Sequence, residues 1–357
     1  MVRRTTVLRS ADLLPIPNSE FADSVILVTG GTGSIGSELV RELLRYQPRA
    51  LRVFSRGEEK QYYMQSDLAE FPNMRYLIGD VRDRRRVDYA MKGVDYVFHA
   101  AAMKHVPASE YNPMEAVKTN VIGTQNVIEA AIENDVKKFV LVSTDKVVNP
   151  RNTMGATKLL SEKLVLSANN FRGDSHTLFA CVRFGNVMGS SGSVIPTFVR
   201  QILENRPLTL TSGEMTRFMM SIPAAADLII QAAARVRHGE TFILKMPAVR
   251  IKDLAECIVE SYNRTHTKKY VIEPEVTGAR IGERLDESLM TEDEASHSYE
   301  DDAMFVLPSP YQDPARLLDY GKEYRATAVR SYSSADAVLM SKQQITDLLT
   351  SCDLLPW

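Results

Sequence analysis

Several side chains that can exchange or hold protons lie close together in the middle of this chain. Thr144, Asp145 and Lys146 end an apolar, β-branched run that is typical of a buried strand. Met154 and Lys158 follow where a helical pattern begins. Ligands of open α/β sheets bind at the carboxyl ends of the strands, so we predict that these five residues form a catalytic site. The alternative is a loop with solvated charges, since polar residues are common after strands.

A glycine-rich turn follows the first predicted strand, at 25–28. It reads TGGTGSIG over residues 29–36 and leads directly into a helical pattern. Glycine permits the tight turn and lets the backbone approach a pyrophosphate, which the helix N-terminus then faces. The alternative is an ordinary strand-to-helix turn. The turn predicts dinucleotide contacts from Gly30, Thr32, Gly33, Ser34, Ile35 and Gly36.

The second strand, at 51–54, ends in Ser55 and Arg56. A dinucleotide fold reads the adenosine ribose at this place, where an acidic residue would favour NAD. A hydroxyl and a guanidinium suit a 2′-phosphate, so we predict NADP, with a surface arginine as the alternative. The other predicted cofactor contacts are Lys60, Asp80, Val81, Ala100, Ala101, Ala102, Lys104, Asn120 and Lys158.

The elements that position these residues alternate between strand and helix from Val25 to a sixth predicted strand, HTLFACVRFGN. This alternation predicts an α/β fold with a Rossmann doubly wound parallel sheet. After residue 185 the pattern changes to Gly- and Ser-rich loops and short mixed elements, which predicts a smaller mixed α/β substrate-binding lobe. We predict an N-terminal extension (1–23), an NADP-binding Rossmann domain (24–185), a lobe with some segments returning to the core (186–330), and a C-terminal segment with a helix (331–357).

Composition narrows the class of protein. The 357 residues carry a formal net charge of -2, which gives no electrostatic reason to expect nucleic acid or an anionic membrane as a partner. Cys181, Cys257 and Cys352 are far apart, show no metal-ligand spacing and indicate a reducing compartment. No apolar run approaches the roughly 18 residues of a membrane span. We therefore expect a cytoplasmic protein with no signal peptide, no membrane contact and no metal.

Taken together, these stretches resemble the extended short-chain dehydrogenases/reductases. More narrowly, the chain resembles the UDP-N-acetylglucosamine 4,6-dehydratases of polysaccharide and flagellin-sugar pathways, from about residue 25 to 287. The matching stretches are TGGTGSIG, FSRGEEKQ, GDVRD, AAMKHVPASEYNP, NVIGT, STDKVVNPRNTMGATK, RFGNVMGSSGSVIP, MTRF and GARIGERLDE.

One residue departs from the general superfamily. Its YxxxK motif begins with tyrosine, whereas this chain has Met154 there and keeps Lys158. A thioether cannot shuttle a proton, so Met154 cannot be the base for a sugar hydroxyl. A subgroup of the dehydratases resembles this chain in carrying methionine beside an intact Thr-Asp-Lys triplet.

The resemblance implies conversion of UDP-N-acetylglucosamine to a UDP-4-keto-6-deoxy-hexosamine by internal hydride transfer through NADP. In this scheme Asp145 is the acid for the 6-hydroxyl and Lys146 the base at C5, with a pKa depressed by Lys158 and the nicotinamide cation. Thr144 would bond the C4 oxygen and Lys158 the nicotinamide ribose. The substrate contacts that it implies are Lys104, Met154, Asn186, Val187, Ser193, Val194, Arg217, Arg280 and Glu283.

Arg217 and Arg280 are predicted to clamp the diphosphate, since guanidinium matches phosphate oxygens two at a time. A surface salt bridge is the alternative for either one. The resemblance links a lysine base to inversion at C5, and it also implies a homo-oligomer, a dimer or larger. The open alternatives are a C5-retaining dehydratase, a GDP- or CDP-linked sugar, a nucleotide-sugar 4-epimerase and a non-catalytic NADP-binding sensor.

Overall fold

The structure is a computed structural model that describes residues 16–279, 282–311 and 320–357. Its strands are β1 (Val25–Thr29), β2 (Ala50–Ser55), β3 (Met74–Ile78), β4 (Tyr96–His99), β5 (Lys138–Val142), β6 (Leu178–Arg183), β7 (Asn186–Val187), β8 (Thr209–Leu210), β9 (Thr216–Met220), β10 (Thr241–Leu244), β11 (Ala248–Arg250), β12 (Glu275–Val276), β13 (Ser288–Met290), β14 (Tyr299–Glu300), β15 (Met304–Leu307), β16 (Arg325–Ala326) and β17 (Tyr332–Ser333).

The helices follow the same order along the chain. They are α1 (Ser34–Leu44), α2 (Glu58–Asp67), α3 (Arg84–Met91), α4 (Val106–Tyr111), α5 (Pro113–Ala116), α6 (Gly123–Glu133), α7 (Thr153–Phe171), α8 (Val194–Leu203), α9 (Ile222–Arg235), α10 (Ile251–Thr265), α11 (Glu292–Ser296) and α12 (Lys342–Ser351). A π-helical segment (Val117–Ile122) precedes α6, and a 3₁₀ turn (Asp145–Val147) follows β5.

The central sheet confirms the predicted doubly wound α/β fold. Its order is β3-β2-β1-β4-β5-β6-β10-β15-β14-β16, and neighbouring strands from β3 to β10 run parallel. Strand order reverses beside β1, so the carboxyl ends of β1 and β4 border the crevice in which ligands of such sheets bind. The antiparallel strands β15, β14 and β16 extend the far edge.

Two apolar layers bury the sheet on both faces. In β1, Ile26 and Val28 join the layer that contains α1 and α9. Val25 and Leu27 point the other way, into the layer formed with α3, α6 and α7. This double burial explains why β1 is a continuous apolar run, and it holds the following glycine turn on a rigid support.

A third apolar cluster forms the smaller lobe. Its helices α8, α10 and α12 bury residues such as Phe198, Leu254 and Ile345 together. Beside them lies a small sheet in which β7 pairs in parallel with β9, and β9 pairs antiparallel with β11. The final helix therefore packs on α10 of its own chain.

The two parts of the chain are interleaved. β10 and β14 to β16 follow residue 186 in sequence, yet they lie in the central sheet. At the other end of the chain, Phe21 is fully buried against Tyr46 and Tyr96, and Glu20 pairs with Lys138 at 2.7 Å. The last residues before β1 thus pack onto the end of the sheet opposite to the crevice.

Candidate active site

The glycine turn after β1 is shaped by close backbone contacts. Gly30 has a φ of 68°, and a Cβ on it would lie 2.7 Å from the amide nitrogen of Ala101. A Cβ on Gly36 would lie 2.2 Å from the carbonyl oxygen of Gly30. Gly33 is the N-cap of α1 and supplies no side-chain cap to its first turn, which begins at Ser34. The turn thus presents helix amides to an anion with no side chain in front of them, as a bound dinucleotide requires.

The predicted ribose site contains a residue that the sequence reasoning missed. Thr32 Oγ1 donates to Ser55 Oγ at 3.1 Å, and the buried Gln61 donates to the same oxygen at 3.0 Å. Gln61 Nε2 also bonds the carbonyl oxygens of Ser55 and Leu77, which ties the ends of β2 and β3 together. Because Ser55 Oγ accepts both bonds, its own hydrogen stays available for a ligand. The one signal for Gln61 was its place in the stretch FSRGEEKQ.

A carboxylate and three cations surround the outer part of this ribose site. Asp80 Oδ2 accepts from Arg82 Nη2 at 2.7 Å. Burial opposes the ionisation of Asp80, but Arg82, with a smaller contribution from Arg56, outweighs burial and holds the pKa of Asp80 below its usual value. Arg56 and Lys60 are exposed, so both can turn toward a ligand phosphate. Val81, beside them, is buried against Gly123.

Asn120 corrects one predicted contact. It lies in the π-helical segment, is 1% exposed, and accepts from Met103 N at 2.8 Å. Its two amide hydrogens go to Met103 O at 3.1 Å and Thr157 Oγ1 at 3.0 Å. With both donors used inside the protein, Asn120 positions the loop after β4 against α7 and has no donor left for the predicted contact with cofactor. That loop begins with Ala100 to Ala102 and carries the exposed Lys104.

The Thr-Asp-Lys triplet converges on a single carboxylate oxygen. Thr144 Oγ1 donates to Asp145 Oδ1 at 2.7 Å, and Lys146 Nζ donates to the same oxygen at 2.9 Å. Asp145 is 1% exposed, and its Oδ2 is buried without a hydrogen-bond partner among the described residues. A buried acceptor left open in this way calls for a partner. A hydroxyl group of a bound ligand could supply that partner.

Glu287 is the second residue that sequence reasoning missed. β13 packs against the 3₁₀ turn, which brings the buried Glu287 Oε1 to 3.8 Å from Lys146 Nζ. Burial and the nearby Asp145 raise the pKa of Glu287, against the opposing effect of Lys146 and Arg217. Its signal in the sequence was limited to the end of the stretch GARIGERLDE.

The protein groups around Lys146 do not lower its pKa as predicted. Burial lowers the pKa of Lys146, but the carboxylates of Asp145 and Glu287 outweigh burial and raise it above its usual value. The lysine therefore rests as an ammonium. The sequence places Lys158 in the same unit as Lys146, whereas the fold adds the carboxylate of Glu287 from a distant segment.

Met154 and Lys158 lie one turn apart on the same face of α7. The side chain of Asn152 caps this helix by accepting from Gly155 N at 2.8 Å. Met154 is 3% exposed and Lys158 is 6% exposed. Lys158 Nζ donates to Val142 O at 2.6 Å, and burial lowers the pKa of Lys158 to about 8.

Arg217 does not match the predicted diphosphate clamp. Its Nη1 donates to the carbonyl oxygens of Thr216 and Leu285, and its Nη2 to that of Arg284, at 2.7 to 2.8 Å. The guanidinium thus holds the 284–285 backbone in place. Its predicted partner Arg280 lies outside the described residues. Glu283, a predicted substrate contact, accepts from Thr211 Oγ1 at 3.4 Å.

The loop after β6 supplies further open polar atoms. Asn186 Oδ1 and Ser193 Oγ are buried and have no hydrogen-bond partner in the described parts of the chain. Ser191 N donates to Ser34 Oγ at 3.3 Å, so this loop reaches the start of α1. Val187 and Val194, also predicted contacts, pack toward the apolar clusters. Open polar atoms at Asp145, Asn186 and Ser193 are what a polar ligand would satisfy.

Comparison with known proteins places the chain in a family. The family described as polysaccharide biosynthesis protein matches residues 26–309, and the chain belongs to it. A UDP-N-acetylglucosamine 4,6-dehydratase (inverting) from Campylobacter jejuni is 45% identical over 284 residues, which are 79% of this chain and 82% of the relative. A UDP-glucose 4-epimerase from Rickettsia felis is 38% identical over 342 residues, which are 93% of this chain and 97% of the relative.

A solved structure agrees with this assignment. The X-ray structure of Pen from Bacillus thuringiensis superimposes with a TM-score of 0.87 at 44% identity, covering 94% of this chain and 99% of that chain. These matches confirm the resemblance to the nucleotide-sugar dehydratase and epimerase enzymes of the short-chain dehydrogenase/reductase fold. In the ranges that the structure describes, no helix has the length and apolar character to cross a membrane.

Proposed function

We propose that this protein is a UDP-N-acetylglucosamine 4,6-dehydratase that uses NADP and inverts C5. The observation that carries the proposal is the buried Asp145 carboxyl group. One of its oxygens holds both Thr144 and Lys146, and the other is open. A dehydratase needs an acid beside a base on a rigid support, and the triplet supplies both. The inverting relative at 45% identity supports the same activity.

The residues around the glycine turn fit a nicotinamide dinucleotide. The space that a Cβ on Gly30 or Gly36 would fill and the uncapped first turn of α1 suit its pyrophosphate. Ser55, Arg56 and Lys60 suit the 2′-phosphate of NADP. Lys158 would hold the nicotinamide ribose. The chemistry that bound NADP supplies is hydride uptake from C4 of the sugar and hydride return to C6.

Met154 cannot accept the proton that the C4 hydroxyl releases. The hydrogen bond between Thr144 and Asp145 provides another route for this proton. Oxidation at C4 releases one hydroxyl proton, and departure of the 6-hydroxyl as water needs one. Thr144 can receive the C4 proton and pass its own to Asp145 along the 2.7 Å bond. Asp145 then protonates the leaving hydroxyl. The proton count closes within the triplet, with no role for a tyrosine.

Lys146 is the group that removes the C5 proton. Return of a proton to the opposite face of C5, after the planar intermediate has turned over beside the amine, gives inversion. The 4-ketone acidifies that proton, and the amine is held beside the acid by the 2.9 Å bond to Asp145. Lys104, Asn186 and Ser193 would contact the nucleotide diphosphate. A C5-retaining reaction and a GDP- or CDP-linked sugar are the variants of this proposal that remain open.

A 4-epimerase is the second candidate, because the Rickettsia felis relative covers 93% of the chain and carries that name. An epimerase needs an acid/base at C4 but has no use for an acid at C6. The buried Met154 removes the usual C4 group, while Asp145 and Lys146 supply groups that epimerisation does not require. The site therefore favours the dehydratase. A cytoplasmic location, homo-oligomerisation and the division into domains stay predictions.

Proton NMR of the protein with UDP-N-acetylglucosamine in deuterated water tests the proposal. A new C6 methyl signal with deuterium at C5 is the expected result, and the ring couplings of the product then distinguish inversion from retention. Appearance of the C4 epimer without a methyl signal would establish the epimerase instead. If the sugar does not react while NADP binds, GDP- and CDP-linked sugars are the next substrates, and failure with all of them leaves the non-catalytic NADP-binding sensor.

A further inference from the structure

Glu287 is a buried acid that the proposed reaction does not yet use. Its Oε1 lies 3.8 Å from Lys146 Nζ and 4.0 Å from Arg217 Nε. Asp145 Oδ1 holds the same ammonium from another side, at 2.9 Å. Lys146 is therefore paired with two carboxylates. In the proposed reaction Asp145 exchanges protons with the sugar hydroxyls, whereas Glu287 has no role.

Two separate segments, at Ser334 and at Thr216–Arg217 of β9, hold Glu287 in this place. Its amide donates to Ser334 Oγ at 3.0 Å, and its carbonyl oxygen accepts from Ser334 N at 2.8 Å. The preceding Asp286 accepts from Thr216 Oγ1 at 2.8 Å, while Arg217 binds the backbone of the two residues before that. These hydrogen bonds fix the backbone at 284–287 and direct the Glu287 side chain toward Lys146. Functional groups are held on a rigid support in the same way.

The resting charge of Lys146 creates a need for such a group. A C5 base must be a neutral amine, whereas Lys146 rests as an ammonium between two carboxylates. Asp145 cannot take the lysine proton, since it has just received the C4 proton and must deliver it to the leaving hydroxyl. Among the described residues, the second carboxylate paired with Nζ is that of Glu287, whose Oε1 lies 3.8 Å away and must move closer to accept the proton.

We propose that Glu287 is the proton acceptor that activates Lys146, so that the site contains a relay from Lys146 Nζ to the Glu287 carboxylate. The inference rests on the proposed dehydratase function and adds a residue to it. In the relay, an N–H bond of the ammonium breaks and an O–H bond forms on Glu287. The neutral amine then takes the C5 proton and becomes an ammonium again.

The relay returns to its starting state at the end of each turnover. Lys146 gives a proton to C5 of the product, which leaves a neutral amine, and Glu287 then returns its own proton to that amine. The charged groups that face Glu287 are Asp145, Lys146, Arg217 and Arg284. Uptake of the C4 proton by Asp145 removes one of the two negative charges that hold Lys146 protonated. The same uptake also lowers the pKa of Glu287, but Asp145 contacts Lys146 directly at 2.9 Å and therefore affects the lysine more. Proton transfer to Glu287 becomes easier after oxidation at C4.

Glu287 acts through Lys146, so its test needs a step that a purely structural role would not single out. The variant Glu287→Gln keeps the shape of the side chain and removes the acceptor. We expect C4 oxidation to continue at the wild-type rate. The absorbance of the reduced nicotinamide in a single turnover measures this step. Deuterium uptake at C5 and water loss should fall roughly 100-fold. The remaining activity should rise as pH increases, because Lys146 must then lose its proton to solvent.

Two further variants complete the experiment. Glu287→Asp keeps a carboxylate, so it should retain the pH profile of the wild type with a smaller loss, and it carries the test if Glu287→Gln does not fold. Glu300→Gln makes the same change in a buried lysine pair at the far edge of the sheet, where Glu300 lies 2.6 Å from Lys245. This control should leave the kinetics unchanged.

Two results would overturn the relay. A Glu287→Gln protein as fast as the wild type, or faster, would show that Glu287 merely keeps Lys146 protonated. Equal loss of C4 oxidation and C5 exchange, with an unchanged pH profile, would make the residue structural. NMR titration of Lys146 without substrate separates this inference from the proposed function. Glu287→Gln should lower the pKa of Lys146 even if the wild type makes no 6-deoxy sugar, and an unchanged pKa contradicts the coupling.

Discussion

The two halves of the site are built in different ways. In the cofactor half, one short stretch, 29–36, makes the turn, and the contacts of Gly30 and Gly36 with nearby backbone set its shape. In the substrate half, Asp145, Lys146 and Glu287 come from two segments far apart in sequence and meet through their charges. The first half depends on the absence of side chains, and the second depends on which side chains the fold brings together.

This difference has an electrostatic consequence. The glycine turn offers helix amides, whose partial charges do not change with pH. The substrate half consists of groups that shift each other's pKa. Asp145 and Glu287 raise the pKa of Lys146, and Asp145 also raises the pKa of Glu287. Substitutions in the cofactor half should therefore act on binding and stability. Substitutions in the substrate half should act on the chemical steps and their pH dependence.

The largest expected effect is that of Asp145→Asn. This change keeps the shape of the side chain but removes the carboxylate that would pass a proton from C4 to the 6-hydroxyl. We expect water loss to fall roughly 10³-fold, measured as the C6 methyl signal, with NADP affinity unchanged. Full activity in this variant would refute the role of Asp145. Lost NADP affinity would mean that the two halves are not separable.

The charge of the buried Lys158 should affect the free energy of unfolding and its dependence on pH. Its pKa falls from 10.5 to about 8 in the folded chain, so burial penalises the charged form. Between these two pH values the unfolded chain binds more protons than the folded one, and stability rises with pH. The penalty is full below pH 8 and absent above 10.5.

Lys158→Met should therefore be more stable than the wild type at pH 7 by an amount that disappears as pH rises through this window. The pH-dependent part is on the order of 3 kcal/mol. Denaturant unfolding of both proteins at several pH values measures it. A constant difference between the two proteins across the window would mean that burial does not lower the pKa of Lys158.

Gly36→Ala should disrupt the glycine turn of the cofactor half and leave the geometry of the substrate half unchanged. The added Cβ would lie 2.2 Å from Gly30 O, which forces the turn to shift. We expect a loss of about 2 kcal/mol in the free energy of unfolding and weaker NADP binding, measured by denaturant unfolding and cofactor titration. Gly213→Ala is the matched control, since its Cβ would meet Lys252 Cδ at 4.0 Å, an ordinary contact. Equal effects of both changes would contradict the close approach.

The smallest expected effect is on cofactor choice. Arg56→Asp should move the ratio of NADP to NAD affinity about tenfold or more toward NAD, because hydrogen bonds to charged groups contribute about 1.5–3 kcal/mol. Arg206→Asp, at an exposed arginine of the smaller lobe, controls for the change in net charge. An unchanged ratio in Arg56→Asp would rule out Arg56 as the residue that binds the 2′-phosphate.

Features that depend on local sequence were predictable. The glycine turn, the Thr-Asp-Lys triplet and the spacing of Met154 and Lys158 each lie within one strand-to-helix unit, and the structure places each of them as a unit at the crevice. The central parallel sheet followed from the alternation of apolar strands with amphipathic helices. The family was predictable for the same reason, since its motifs are short and contiguous.

Features that depend on contacts between distant segments were not predictable from the sequence. Gln61 was missed because its importance lies in three bonds to the ends of two strands. Arg217 was assigned to a diphosphate because a guanidinium in a polar loop matches phosphate, whereas the fold surrounds it with backbone carbonyls. Its burial could not be read from residues 215–218 alone.

The sequence by itself determined the sheet and the glycine turn, because hydrophobic periodicity and backbone sterics act over a few residues. The tertiary structure alone decided the charge state of Lys146. That charge depends on Glu287, which reaches the triplet only because β13 packs against the turn after β5. Electrostatic interactions follow distance in space, so the protonation of this site is a property of the fold.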